Sequence, residues 1–149
     1  MRRAHLIIAM LGWLSAAAVA QPLPAMIDAH AHYSAPDAEA FSADAVLAKL
    51  DAAGVRRLVV TSSPPHLAQH LYQHAPERII PLLGVYASDR HKANWVHDPT
   101  LPARVAAQLE HGVWAGIGEL HLFAHDVQQP VFAQLVRLAA ARRQVLMIH

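Results

Sequence analysis

Short apolar segments alternate with amphipathic segments along most of the chain, and this alternation constrains the fold more than any other feature. Strands are predicted at residues 26–30, 55–60, 78–85, 113–122 and 145–149. Helices are predicted at 42–53, within 62–75, at 100–112 and at 130–143. A strand followed by a helix about every thirty residues is typical of successive βαβ units around a parallel sheet. We therefore predict an α/β fold.

Two architectures fit this order of elements, an open doubly wound sheet and a (β/α)8 barrel. In both of them the active site lies at the carboxyl ends of the parallel strands. The residue types at those strand ends are therefore the features that can distinguish the two architectures and indicate the function.

Composition excludes several classes of protein. The chain has 149 residues, which suffices for one globular domain at most. It has no cysteine, which excludes disulfides, thiolate metal sites and a lipid-modified N-terminal cysteine. The formal net charge of +1 gives no sign of a basic face for nucleic acid.

The first twenty residues have the pattern of a secretory signal peptide. Arg2 and Arg3 precede a mostly apolar run at 6–20, which ends in the small residues "AVA" before Gln21. The paired arginines leave the twin-arginine export route open as an alternative. We expect residues 1–20 to be removed and residues 21–149 to form an exported protein, periplasmic or secreted, that has no membrane anchor.

Three of the five predicted strands end in side chains that bind metals. His30 and His32 end the first strand, Glu119 and His121 the fourth, and His149 the fifth. Residues i and i+2 of an extended chain point to the same side, so His30 and His32 can present both imidazoles to one ion. A histidine at a strand end can equally be a structural residue, but Glu119 in an apolar strand needs a partner when buried. Imidazole with carboxylate favours zinc or another borderline divalent cation.

Other polar residues are weaker candidates. His66, His70 and His74 recur every four residues along the second predicted helix, and we interpret them as a solvated face because no carboxylate completes the set. The polar loop at 86–99 follows the third strand on the side where substrates would enter. Arg90 and His91 in that loop are candidates for substrate contact.

The strand ends also resemble a known family. The segments "MIDAHAH", "GIGEL" and "VLMIH" resemble the metal-binding strand ends of the amidohydrolase superfamily, including its TatD-like branch. The segment at 128–149 is similar to that superfamily's run from a proline-opened helix into its fifth strand. The resemblance extends over residues 26–149. It implies a (β/α)8 TIM-type barrel with one or two divalent metal ions, zinc being expected, that activate water to hydrolyse an amide, ester or related bond of a small-molecule substrate.

The resemblance also implies roles for individual residues. His30 and His32 would bind the more buried metal, and His149 would bind a second metal or a shared site. Glu119 stands where the TatD-like branch has a glutamate and other branches have a carboxylated lysine that bridges two metals. Asp28 would orient a ligand by accepting a ring N–H, or would simply fix the turn.

The resemblance covers only part of a barrel. A complete barrel of this type needs roughly 200 residues or more, so about the first four and a half β/α units are represented. The superfamily's sixth-strand histidine and eighth-strand aspartate have no counterpart up to His149, so no catalytic base is assigned. We expect the chain as given to be an N-terminal part of such an enzyme that is inactive by itself.

Two other functions remain open at this stage. Phosphoesterases of the polymerase-and-histidinol-phosphatase type also begin with His-x-His, but they usually carry an aspartate–histidine pair after the second strand, where this chain has "VVTSSPPH". A non-catalytic exported metal-binding protein, or a barrel relic, would account for the 12 histidines. The ordered placement of Glu119 and His149 at strand ends favours the hydrolase.

Overall fold

A computed structural model describes residues 24–86 and 89–149, and it confirms the predicted α/β fold. Five parallel strands form one sheet in the order β1-β2-β3-β4-β5. They are β1 (Met26–His32), β2 (Val55–Thr61), β3 (Ile79–Leu83), β4 (Gly116–Leu120) and β5 (Val145–Ile148). Each strand pairs with its neighbours in sequence, so the strand order nowhere reverses.

Helices connect the strands. They are α1 (Ala35–Ala40), α2 (Ala43–Ala52), α3 (His66–His74), α4 (Asp89–Lys92), α5 (Leu101–Glu110) and α6 (Pro130–Arg142). The predicted start of α2 is confirmed, because the Ser42 side chain accepts the Ala45 N–H at 3.2 Å. Two short helices, α1 and α4, were not predicted. The first begins with a capping box between Ser34 and Asp37, but its six residues bury none of their side chains and so show no apolar stripe.

The core consists of two apolar clusters that follow the two halves of the sheet. The first packs α5 and α6 against β3 and β4, and its fully buried members include Leu83, Val105, Ile117, Leu120 and Leu135. The second packs α2 and α3 against β2 and β3, through Leu50, Leu58, Val60, Leu71 and Ile79. Burial of these side chains holds the helices against the sheet.

The sheet curls into a half barrel. Neighbouring strands lie about 4.8 Å apart, so β1 and β4 would be about 14 Å apart in a flat sheet. Nevertheless, His30 Nε2 on β1 lies 3.2 Å from Glu119 Oε1 on β4. Side chains standing on a flat sheet could not converge in this way, and the curl therefore brings the ends of distant strands to one place.

The predicted signal peptide, residues 1–20, lies outside the described residues. Within the part of the chain that the structure describes, no helix has the length and apolar character needed to cross a membrane.

Candidate metal centre

The end of β1 supplies two imidazoles that point to the same place. His30 and His32 are separated by one residue of extended chain, and their Nε2 atoms lie 2.9 Å apart. The carboxylate of Asp28 accepts the backbone N–H of His30 at 3.1 Å. Asp28 therefore fixes the chain beside the histidines, which is the second of the two roles that the sequence suggested for it.

Glu119 on β4 is the buried centre of the group. The residue is 5% exposed, and its five-residue strand is buried throughout. The preceding Gly118 has a φ of +143°, a conformation that favours glycine, and a Cβ there would lie 2.7 Å from the Cβ of Met147. Glycine thus lets β5 approach β4 closely beside the carboxylate.

Histidines at the ends of β1, β4 and β5 surround the two oxygens of this carboxylate. Oε1 lies 3.2 Å from His30 Nε2 and 2.5 Å from His149 Nδ1. Oε2 lies 3.4 Å from His32 Nε2 and 4.0 Å from His121 Nε2. The ends of β1, β4 and β5 therefore meet at Glu119.

The carboxylate stays ionised in spite of its burial. Burial by itself raises the pKa of Glu119. The hydrogen bond from His149 and the electrostatic effect of the imidazoles of His30, His149 and His121 outweigh burial, so the pKa of Glu119 lies below its ordinary value. A charged carboxylate is the form that binds a cation.

Backbone hydrogen bonds fix His149 beside β4. Its N–H donates to Leu120 O at 2.8 Å, and its carbonyl accepts the Leu122 N–H at 3.1 Å. The ring of His149 stacks on that of His121, with 4.9 Å between centroids and 12° between planes. The β4–β5 ladder thus continues past the end of β5 and carries the imidazole to the site.

Two overlapping groups of side chains could hold a metal ion. They are His30, His32 and Glu119, and Glu119, His121 and His149, and within each group the ligand atoms lie within 4.8 Å of one another. Ligands about 2.0–2.1 Å from a tetrahedral ion stand about 3.3 Å apart, close to the distances of 3.2 and 3.4 Å between the β1 histidines and Glu119. Nitrogen and carboxylate donors at these separations fit a divalent cation.

His121 belongs to the site. The sequence placed it among the metal-binding side chains at strand ends, but the resemblance gave it no ligand role. Tyr86 Oη accepts its backbone N–H at 2.6 Å and lies 3.0 Å from its Nδ1. The indole N–H of Trp95 donates to its carbonyl at 2.8 Å. Burial raises the pKa of Tyr86 to about 12, so the phenol stays protonated at neutral pH. Tyr86 and Trp95 lie 35 and 26 residues from His121 in sequence, and no local pattern signals these contacts.

The two candidates for substrate contact are not among the residues that line the cavity beside Glu119. His91 Nε2 is 3.3 Å from Asp98 Oδ2, and its ring packs edge-on against Tyr86. Arg90 is exposed on α4. Their neighbour Lys92 lines the cavity beside Glu119 instead.

The histidines of α3 lie apart from the metal centre. His66, His70 and His74 are exposed, as the sequence analysis predicted. His74 Nε2 pairs with Asp44 Oδ1 at 2.7 Å. This contact connects α3 to the start of α2.

Comparison of the chain with protein-family models, with curated proteins and with solved structures returns no match.

Proposed function

We propose that this protein is a metal-dependent hydrolase of the amidohydrolase superfamily type, acting on an amide, ester or related bond of a small molecule. One observation carries the proposal. A buried, ionised glutamate at the end of β4 is met by four imidazoles from the ends of β1, β4 and β5. In parallel α/β folds this edge of the sheet is where active sites lie.

The strand order supports a (β/α)8 barrel rather than a doubly wound sheet. A doubly wound sheet reverses its order at a switch point, and its ligands bind there. Here the order is consecutive from β1 to β5 and the sheet curls. Consecutive order with curling is the geometry of a barrel wall, whose strand ends all face one central site.

Each residue of the site would have its own role in holding a metal ion. His30 and His32 would hold the ion from the β1 side, and His149 with His121 from the opposite side. Glu119 would supply negative charge between them. A divalent ion, most simply zinc, supplies Lewis-acid activation of water and polarisation of the bond to be cleaved.

Orientation of the imidazoles comes from their surroundings. Asp28 fixes the backbone at His30, while Tyr86 and Trp95 fix the backbone at His121. Ligands that are held before the ion arrives need less reorganisation when it binds, and partners of this kind tune both orientation and basicity.

Hydrolysis by the full-length protein tests the proposal. We expect turnover of members of an ester and amide panel after loading with Zn²⁺, loss of turnover on chelation, and recovery when Zn²⁺ is returned. Glu119→Gln keeps the shape of the side chain but removes its charge, and should abolish turnover. Glu77→Gln, at an exposed carboxylate in the turn between α3 and β3, is the matched control.

Two results would contradict the proposal in different ways. Tight zinc binding without turnover of any member of the panel would indicate a non-catalytic metal-binding protein. Turnover that survives both chelation and Glu119→Gln would place the chemistry elsewhere.

A further inference from the structure

A small cavity of about 50 Å³ lies beside the metal centre and shares part of its wall. His32, Glu119 and His121 line both the cavity and the metal centre. A cavity of this volume has room for about three water-sized groups. A group of the substrate that occupied it would therefore lie next to the ion.

The charged side chains at the wall of the cavity are of opposite sign. The Glu119 carboxylate and the Lys92 ammonium group both belong to residues that line it. An anion bound there would be repelled by the carboxylate, and a cation by the ammonium group. We therefore expect the ligand of this cavity to be uncharged.

Thr61, the last residue of β2, supplies a buried hydroxyl to the cavity. The residue is 5% exposed and lines the cavity. Its carbonyl accepts the Tyr33 N–H, but its hydroxyl forms no hydrogen bond with any residue that the structure describes. Among the described residues, Gln144 Oε1 is the one side-chain oxygen or nitrogen that is both fully enclosed and without a partner. The Thr61 hydroxyl is therefore accessible from the cavity, and a ligand there would provide the hydrogen bond that a buried hydroxyl needs.

Ser34 offers a second hydroxyl. Its Oγ accepts the backbone N–H of Ser63 at 3.3 Å, which leaves its own hydrogen for a ligand. Ser62 also lines the cavity, but its Oγ donates to a backbone carbonyl and accepts the Ala68 N–H, each at 2.9 Å. Ser62 therefore serves the start of α3, and Thr61 and Ser34 are the hydroxyls that can bind a ligand.

Backbone hydrogen bonds hold the two hydroxyl-bearing segments side by side. The Tyr33 N–H donates to Thr61 O at 3.0 Å, and the Ala35 N–H donates to Ser63 O at 3.3 Å. The pairing between β1 and β2 thus continues past the ends of both strands, on either side of Ser34. Because the fold sets both segments before a ligand arrives, less order has to be gained on binding.

We propose that this cavity binds an uncharged hydroxyl group of a small substrate, which donates to Thr61 Oγ1 and accepts from the Ser34 hydroxyl, while the bond to be cleaved lies at the metal centre. The inference rests on the proposed hydrolase function and names its substrate class, a hydroxylated ester or amide. A hydroxyl group both donates and accepts a hydrogen bond, which matches the two free hydroxyls of the wall. With its carbon atom, it also fits the volume of the cavity.

The test uses metal-free protein, so that it measures the cavity without the chemistry. Thr61 and Thr100 are the only threonines in the chain, so ¹³C-methyl labelling of threonine gives one signal at the cavity and one reference signal at the exposed Thr100. Ethanol is titrated at pH 8, where histidines are mostly neutral. We expect the Thr61 signal to shift with saturation and the Thr100 signal to show no saturable shift. Acetate and ethylammonium, which are of similar size but charged, should leave the Thr61 signal in place.

A serine variant measures the second hydroxyl. Ser34→Ala should weaken ethanol binding about fivefold, as expected for the loss of one hydrogen bond between uncharged groups. Ser42→Ala is the matched control, because the Ser42 hydroxyl also accepts a backbone N–H but lies outside the cavity. This control should bind ethanol like the parent protein.

Thr61→Val separates ligand binding from a structural role. Valine has nearly the same shape as threonine but no hydroxyl, and the Thr61 hydroxyl has no partner among the described residues, so the variant should be at least as stable as the parent protein in urea. A less stable Thr61→Val would assign the hydroxyl to the fold and overturn the inference. A Thr61 signal that ignores ethanol, or that responds equally to acetate or ethylammonium, would also overturn it. Zinc binding and hydrolysis are measured separately, so failure of the hydrolase proposal would be recognised independently.

Discussion

At the scale of single residues, the metal centre depends on partners that hold the imidazoles in place. His121 shows this most clearly, because its backbone N–H and its carbonyl both form hydrogen bonds with side chains. Tyr86 accepts its N–H and Trp95 donates to its carbonyl. These two contacts fix where the ring stands relative to Glu119.

Tyr86→Phe removes the phenol oxygen and leaves the His121 N–H without its acceptor. An unsatisfied donor costs about 1–3 kcal/mol when it is fully buried. The His121 N–H is part-buried, so we expect the free energy of unfolding in urea to fall by about 1 kcal/mol. Tyr72→Phe, at a partly buried tyrosine packed on the other core cluster, is the control and should change stability less. Equal stability of Tyr86→Phe and the parent chain would show that the contact contributes nothing.

At the scale of elements, the sequence predicts helices and strands best where a local pattern of residues has a single physical interpretation. The apolar runs predicted all five strands, and Ser42 predicted the start of α2. The segment between β3 and α5 was predicted as loop, but it contains α4 and a 3-10 turn at Trp95–His97. Trp95 is 1% exposed there, and its burial comes from packing against α6, which local pattern cannot reveal.

The start of α5 is fixed by a carboxylate, and its contribution should depend on pH. Asp98 accepts from Thr100 Oγ1 at 2.6 Å, from Thr100 N–H at 2.9 Å and from Arg104 Nη1 at 3.2 Å. The hydrogen bond from the Thr100 hydroxyl is the largest cause and lowers the pKa of Asp98. Burial opposes it, and the Thr100 N–H and Arg104 each add a smaller lowering effect.

A folded-state pKa below the unfolded value means that Asp98 stabilises the fold above the unfolded value of about 3.9 and loses this effect as the pH falls further. We expect Asp98→Asn to lower the free energy of unfolding by about 1 kcal/mol at pH 7 and by less at pH 3. Urea titrations at both pH values measure this, with Glu39→Gln, at an exposed position of α1, as control. A deficit of the same size at both pH values would contradict the assignment.

At the scale of the whole molecule, the site exists because the sheet curls. His30, His32, Glu119 and His149 were all predicted as ligands from their places at strand ends, and the structure brings them together. The sequence could place them at one edge of a parallel sheet, since every strand has the same direction. It could not predict that the end of β1 lies close to the end of β4, because the distance between these strand ends depends on the twist and curl of the three strand pairs from β1 to β4.

Metal stoichiometry of Glu119→Gln tests the central claim most directly. The parent chain and the variant are loaded with Zn²⁺, dialysed, and analysed for zinc per chain by mass spectrometry, with Glu77→Gln as control. The account predicts retained zinc in the parent and control, and loss of at least one equivalent in Glu119→Gln, because a neutral amide cannot balance the ion among the imidazoles. Unchanged zinc content in Glu119→Gln would show that this carboxylate does not hold the metal.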